Sequence, residues 1–114
     1  MNIEELREFC LNLPAVAEDI KWENNLVFSI SGKMFCLADL EPPFQVAFKV
    51  PEDEFETLTS TMDIIQAPYF ARMKWVKVLD ESRLSAEEWQ HYLRQSYDLV
   101  VARLPKKQRE NLYL

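Results

Sequence analysis

The chain has 114 residues, with 13 Lys/Arg against 19 Asp/Glu and a net charge of −6, so a phosphate backbone repels it as a whole and nucleic-acid binding requires a local basic patch. A hydrophobic share of 48%, arranged periodically, excludes a disordered chain, and the apolar runs are too short for a transmembrane helix. The length suits one domain over residues 1–114, with a core that needs no metal or disulfide.

Asn2 is placed to cap a first helix, with Glu5 completing a capping box. Ile3, Leu6, Cys10 and Leu13 follow at helical spacing, and Pro14 sets the boundary. The acidic N-terminus lacks the basic start and apolar stretch of a signal peptide, which predicts a cytoplasmic protein. Cys10 and Cys36 lie in apolar patterns and read as buried, reduced thiols.

Residues 16–22 read as a strand with Ile20 and Trp22 on one face, and Asn24-Asn25 as its turn. Residues 26–37 form the organising hairpin. Ser31-Gly32, which holds the one glycine of the sequence, serves as a two-residue turn. Simple alternation then sets Phe28 opposite Phe35 and Leu26 opposite Leu37. It groups Leu26, Phe28, Ile30, Phe35 and Leu37 on one face, and Val27, Ser29, Met34 and Cys36 on the other.

Pro42-Pro43 forbids continuation of the ladder, and residues 45–50 alternate with Val46, Phe48 and Val50 inward. Pro51 opens a helix whose first turn holds Glu52, Asp53 and Glu54, with Phe55, Leu58 and Met62 as its apolar stripe. Residues 64–69 read as a connector broken by Pro68, and residues 73–79 as the last strand, with Trp75 and Val76 on opposite faces. Ser85-Ala86-Glu87-Glu88 is a capping box for the longest helix, whose stripe is Trp89, Leu93, Tyr97, Val100 and Leu104. Pro105 interrupts it before a short basic segment. Short turns between the early strands predict an antiparallel meander of about five strands, with N- and C-terminal helices on one face: an α+β sandwich.

No catalytic signature is present. A single glycine excludes the usual phosphate-cradling loops, the cysteines lack zinc spacing, and His91 is offset from its helix's apolar stripe, so a non-enzymatic protein without cofactor or metal is expected. Charge is uneven. Residues 1–60 carry four Lys/Arg and twelve Asp/Glu, residues 61–114 nine and seven. Lys33 at the hairpin tip, Lys49 on an outer strand face, and Arg72 and Lys74 about the last strand are the candidates for phosphate contact. Arg103, Lys106, Lys107 and Arg109 are explained by the favourable field at a helix C-terminus.

Several motifs carry a resemblance. Glu18-Asp19-Ile20-Lys21-Trp22, Leu26-Val27-Phe28-Ser29, Gly32-Lys33-Met34-Phe35, Phe48-Lys49-Val50, Ala67-Pro68-Tyr69-Phe70-Ala71-Arg72 and Lys74-Trp75-Val76 occur in that order. Ser96-Tyr97-Asp98-Leu99-Val100-Val101 and Leu104-Pro105-Lys106-Lys107 complete them. Together they resemble the MmcQ/YjbR family across nearly the whole chain. The resemblance implies a small bacterial protein with a fold similar to that of CyaY, the bacterial frataxin, and DNA binding through hairpin wings.

Three readings follow. One is a DNA-binding module using Lys33, Lys49, Arg72 and Lys74. The second is an interaction domain whose acidic surface attracts a basic protein partner. The third takes the frataxin-like fold literally, with Glu4, Glu5, Glu8, Glu18 and Asp19 as a weak hard-cation ridge. A monomer away from membranes is expected in each.

Overall fold

The computed structural model describes residues 1–112. Helix α1 (Ile3–Leu11) leads into strands β1 (Val16–Lys21), β2 (Asn25–Ile30), β3 (Lys33–Asp39) and β4 (Val46–Lys49). Helix α2 (Glu52–Thr59), strands β5 (Ile64–Gln66) and β6 (Trp75–Val78), and helices α3 (Ala86–Ala102) and α4 (Lys106–Asn111) complete the order. All neighbouring strands are antiparallel, in one open sheet of order β1-β2-β3-β4-β6-β5. No helix among the described residues is long and apolar enough to cross a membrane.

Local chemistry explains the helix starts. Asn2 Oδ1 accepts from the Glu5 N–H at 2.8 Å. Ser85 Oγ accepts from the Glu88 N–H while the Glu88 carboxylate accepts from the Ser85 N–H, the full reciprocal box. Pro51 stands one place earlier than expected, as the N-cap of α2. Met62 falls beyond the end of α2 and is exposed rather than part of its stripe.

The hairpin departs from simple alternation. Ser31 and Gly32 have φ of 49° and 78°, the two left-handed positions of a type I′ turn. Ile30 pairs with Lys33 and Ser29 with Met34, but Phe28 then pairs with Cys36 and Val27 with Leu37. Phe35 is thus the extra residue of a β-bulge. The bulge lets Phe35 and Cys36 both enter the helix-covered core and turns Leu37 to the opposite face, reversing the expected sides of Cys36 and Leu37.

The core joins Leu6 and Cys10 of α1, Phe28, Ile30, Phe35, Cys36, Val46 and Phe48 of the sheet, Phe55 and Leu58 of α2, and the α3 stripe. Trp89 is fully buried, packing edge-on to Phe48 at 6.1 Å, and its indole N–H donates to the Glu81 carbonyl at 2.9 Å. Tyr97, two turns on, meets Phe35 edge-on at 5.5 Å. The aromatic partner of Trp89 is therefore Phe48, because the start of α3 lies over β4, while Phe35 lies under Tyr97 further along the helix.

The sixth strand is the three-residue β5, expected to be part of a connector. Ile64 pairs with Val78 and Gln66 with Val76, and the Leu79 N–H donates to the Asp63 carbonyl at 2.7 Å. At the other edge the turn comprises Trp22, Glu23 and Asn24, with Trp22 and Glu23 at positive φ. The expected Asn24-Asn25 turn is displaced because Asn25 already pairs with Lys21.

Candidate nucleic-acid interface

Antiparallel order brings the first residue of β3, the last of β4 and the residue before β6 to one end of the sheet. These are Lys33, Lys49 and Lys74. The C-terminal turn of α3 reaches the same end. Between it and the β2–β3 tip lies a groove of about 450 Å³, with apolar walls from Met34, Trp75 and Val100. Its charged lining residues are Lys33, Lys49 and Arg103, all cations.

Lys49 is held from two sides. Its backbone N–H donates to Ser96 Oγ at 2.9 Å, and its ammonium donates to the Met73 carbonyl. Burial pushes the ammonium below the usual lysine range, and repulsion from Arg103 pushes it further the same way. Among the described residues no carboxylate stands in ion-pair range of Lys49, so its charge lacks a compensating anion there. Arg103 is the C-cap of α3, where its charge also suits the helix dipole.

Of the four residues singled out from sequence, Lys33 and Lys49 meet in the groove, and Arg72 and Lys74 do not line it. Arg72 is exposed on a 3₁₀ turn, Ala71–Met73. Lys74 caps that turn in left-handed geometry, φ 62°, and its ammonium lies 5.0 Å from the Phe55 ring centroid. Sequence reasoning explained Arg103 by its helix end and so missed it. The signal available was the close of the apolar stripe at Val100 and Leu104, which brackets Arg103 beside the sheet.

The acidic residues behave differently. Glu18 takes two hydrogen bonds from the Arg7 guanidinium, at 2.6 and 2.9 Å, which hold its carboxyl below the usual range. Asp19 accepts from the Ile20 N–H at 2.8 Å, while Glu4, Glu5 and Glu8 are exposed along α1. Among the described residues no three His, Cys, Asp or Glu side chains converge to hold a metal ion. Cys10 and Cys36 are buried free thiols, and burial pushes the Cys36 thiol well up. His91 is exposed.

Comparison with known proteins agrees with this architecture. A crystal structure of Deinococcus radiodurans protein DR2400, described as a DUF419 domain, superposes with a TM-score of 0.89 at 27% identity, over 99% of this chain and 88% of that one. A Pseudomonas syringae protein superposes with a TM-score of 0.73 at 20% identity, over 87% of this chain and 98% of that one, a likeness of fold alone. No curated protein matches. The YjbR family profile matches residues 11–99, which include the whole of the hairpin, the sheet and most of α3. On that match, and with the motif order and fold already described, the chain belongs to the YjbR family.

Proposed function

We propose that the protein is a non-enzymatic binding module that takes the phosphate backbone of DNA in the groove between the β2–β3 tip and the end of α3. The observation that carries this reading is the groove's charged lining. In a chain of net charge −6 it is entirely cationic, and it holds a lysine whose charge is poorly compensated. An anion placed there gains from three cations and relieves the repulsion between Lys49 and Arg103. Phosphate is the fitting anion, because Arg103 offers a planar fork of donors and Lys33 a mobile point charge at the exposed tip. Contacts of this kind position a nucleic acid without reading its sequence.

Fluorescence anisotropy with a labelled oligonucleotide tests this at low ionic strength. Affinity should fall as salt rises, and the slope should flatten by about two in the Lys33→Ala/Arg103→Ala double variant, one phosphate contact per cation removed. Arg72→Ala should leave the slope unchanged. A wild-type protein with no salt-dependent affinity overturns the reading.

A second reading has its own observation. Leu11 and Ile20 are exposed beside the acidic residues of α1 and β1, with Ile20 59% exposed. Exposed apolar side chains among carboxylates suit a basic protein partner. Asp19→Lys/Ile20→Asp should abolish such binding, and a partner that tolerates both changes argues against this surface.

A further inference from the structure

The sheet face opposite the helices holds a second concavity, of about 430 Å³. Small residues make it. Ala47 sits between Leu37 and Lys77 in one cross-strand row, and Ala67 lies near, so the floor sinks among larger neighbours. Trp22 forms one rim, from the β1–β2 turn, and Tyr69 and Phe70 form another, from the β5–β6 connection.

Both outer rim aromatics are held in an uncommon way. Trp22 has φ 51° and is 60% exposed, and Tyr69 has φ 69° and is 98% exposed. Left-handed backbone costs free energy at any residue other than glycine, and leaving a large ring in water forfeits its burial. The left-handed backbone serves the two chain reversals, and the large rings it leaves exposed around a hollow point to a ligand.

The polar groups define its chemistry. Lys77 Nζ and Asp39 Oδ2 stand 3.3 Å apart at the cavity wall, both only partly exposed. One offers donors and the other acceptors, and their charges cancel. The Gln45 amide, which also lines the cavity, offers one of each. A site with aromatic rims, no net charge and a donor beside an acceptor suits a flat, neutral heterocycle whose edge carries the complementary pair.

We propose that this cavity binds a nucleobase, stacked against Trp22 or Tyr69 with its hydrogen-bonding edge on Asp39 and Lys77. Phe70 and Trp75, with ring centroids 5.7 Å apart, separate it from the cationic groove, since Phe70 lines the cavity and Trp75 the groove. A base here and a phosphate there are thus neighbouring parts of one single-stranded ligand. The proposal rests on the phosphate-groove reading for the source of the base, not for the chemistry of the cavity.

Deoxyadenosine, deoxyguanosine, deoxycytidine and thymidine carry no phosphate, so they test the cavity alone. Titration of each into the labelled protein, followed by amide and indole N–H shifts, should give saturable changes at Trp22, Asp39, Ala47 and Lys77 for at least one. Trp22→Ala/Tyr69→Ala, which removes both rims, should weaken that binding at least tenfold. Lys77→Met/Asp39→Asn should weaken it at least as much, while the fold, read from the remaining shifts, stays intact. No saturable shift with any nucleoside overturns the proposal. So does equal affinity for indole, which lacks the paired edge. An abasic oligonucleotide supplies the other arm. If it shifts Lys33, Lys49 and Arg103 while the nucleosides do nothing, the cavity proposal fails and the groove survives. If nucleosides bind and the abasic strand does not, the groove fails and the cavity stands.

Discussion

The hydroxyl of Ser96 donates to the carbonyl of Phe35 at 2.6 Å, so a helix side chain satisfies the very residue that the bulge removes from regular pairing. The same oxygen accepts from the Lys49 N–H, joining β3, β4 and α3 through one buried atom. Ser96→Ala leaves a buried acceptor and a part-buried donor without their partner. The expected loss is about 2–3 kcal/mol, read from urea melts. A loss below 0.5 kcal/mol, near the limit of such melts, would mean that water replaces the hydroxyl.

Trp89→Ala should cost about 3–5 kcal/mol, because a fully buried ring, its contact with Phe48 and the donor to Glu81 all vanish together. A domain of this size has about 5–15 kcal/mol in total, so the variant should be barely folded at physiological temperature. His91→Ala, on the exposed face of the same helix, should be near neutral. Denaturant melts of the pair decide it, and equal stability would reverse the helix face.

Gly32→Ala isolates a conformational effect. A Cβ at Gly32 meets nothing within 4 Å, so the substitution adds no clash, only the left-handed φ of 78°. The expected cost is about 1 kcal/mol. Gly32→Asn, whose side chain tolerates this geometry, should recover most of it in the same melt.

Lys49 gives the groove a pH signature. Its folded value is depressed, so between that value and the ordinary lysine value of 10.5 the unfolded chain binds more protons. Stability should therefore gain a positive contribution as pH rises through that window. The gain is complete above the ordinary value and lost as pH falls through the depressed one. Lys49→Met should remove this slope. Paired melts of wild type and variant across the alkaline range read the difference, and parallel curves would mean that the ammonium is as well solvated as a free lysine.

Much of this architecture is legible in residue order because its signals are local. Ser85 to Glu88, the Ser31-Gly32 turn and the spacing of Trp89, Leu93 and Tyr97 each act within a few residues. The bulge at Phe35 is not local. Phe35, Cys36 and Leu37 are all apolar, so alternation cannot say which two share a face, and the answer depends on Ser96 far along the chain. Strand β5 escapes notice for another reason. Three residues are too few to show a period, and Ile64 finds its strand partner, Val78, only later in the chain.

The candidate sites divide in the same way. Lys33 and Lys49 are recognisable from strand ends, but Arg103 joins them only through the packing of α3. Lys74 is drawn aside by Phe55, a contact no spacing reveals. The cavity beside Trp22 and Tyr69 depends on two alanines from separate segments, and alanine carries no outward sign of the space it leaves.

The place of β6 between β4 and β5 has a consequence for how the protein is made. While the ribosome is still short of Trp75, β4 presents a bare edge of N–H and C=O groups, and β5 has no strand to pair with. The meander β1 to β4 can zip as it emerges, yet its apolar inner face, covered in part by α1 and α2, lacks its main cover until α3 follows. A nascent or truncated chain ending before Trp75 is thus the form most prone to edge-to-edge aggregation, and synthesis of the next four residues both seals that edge and gives β5 its partner.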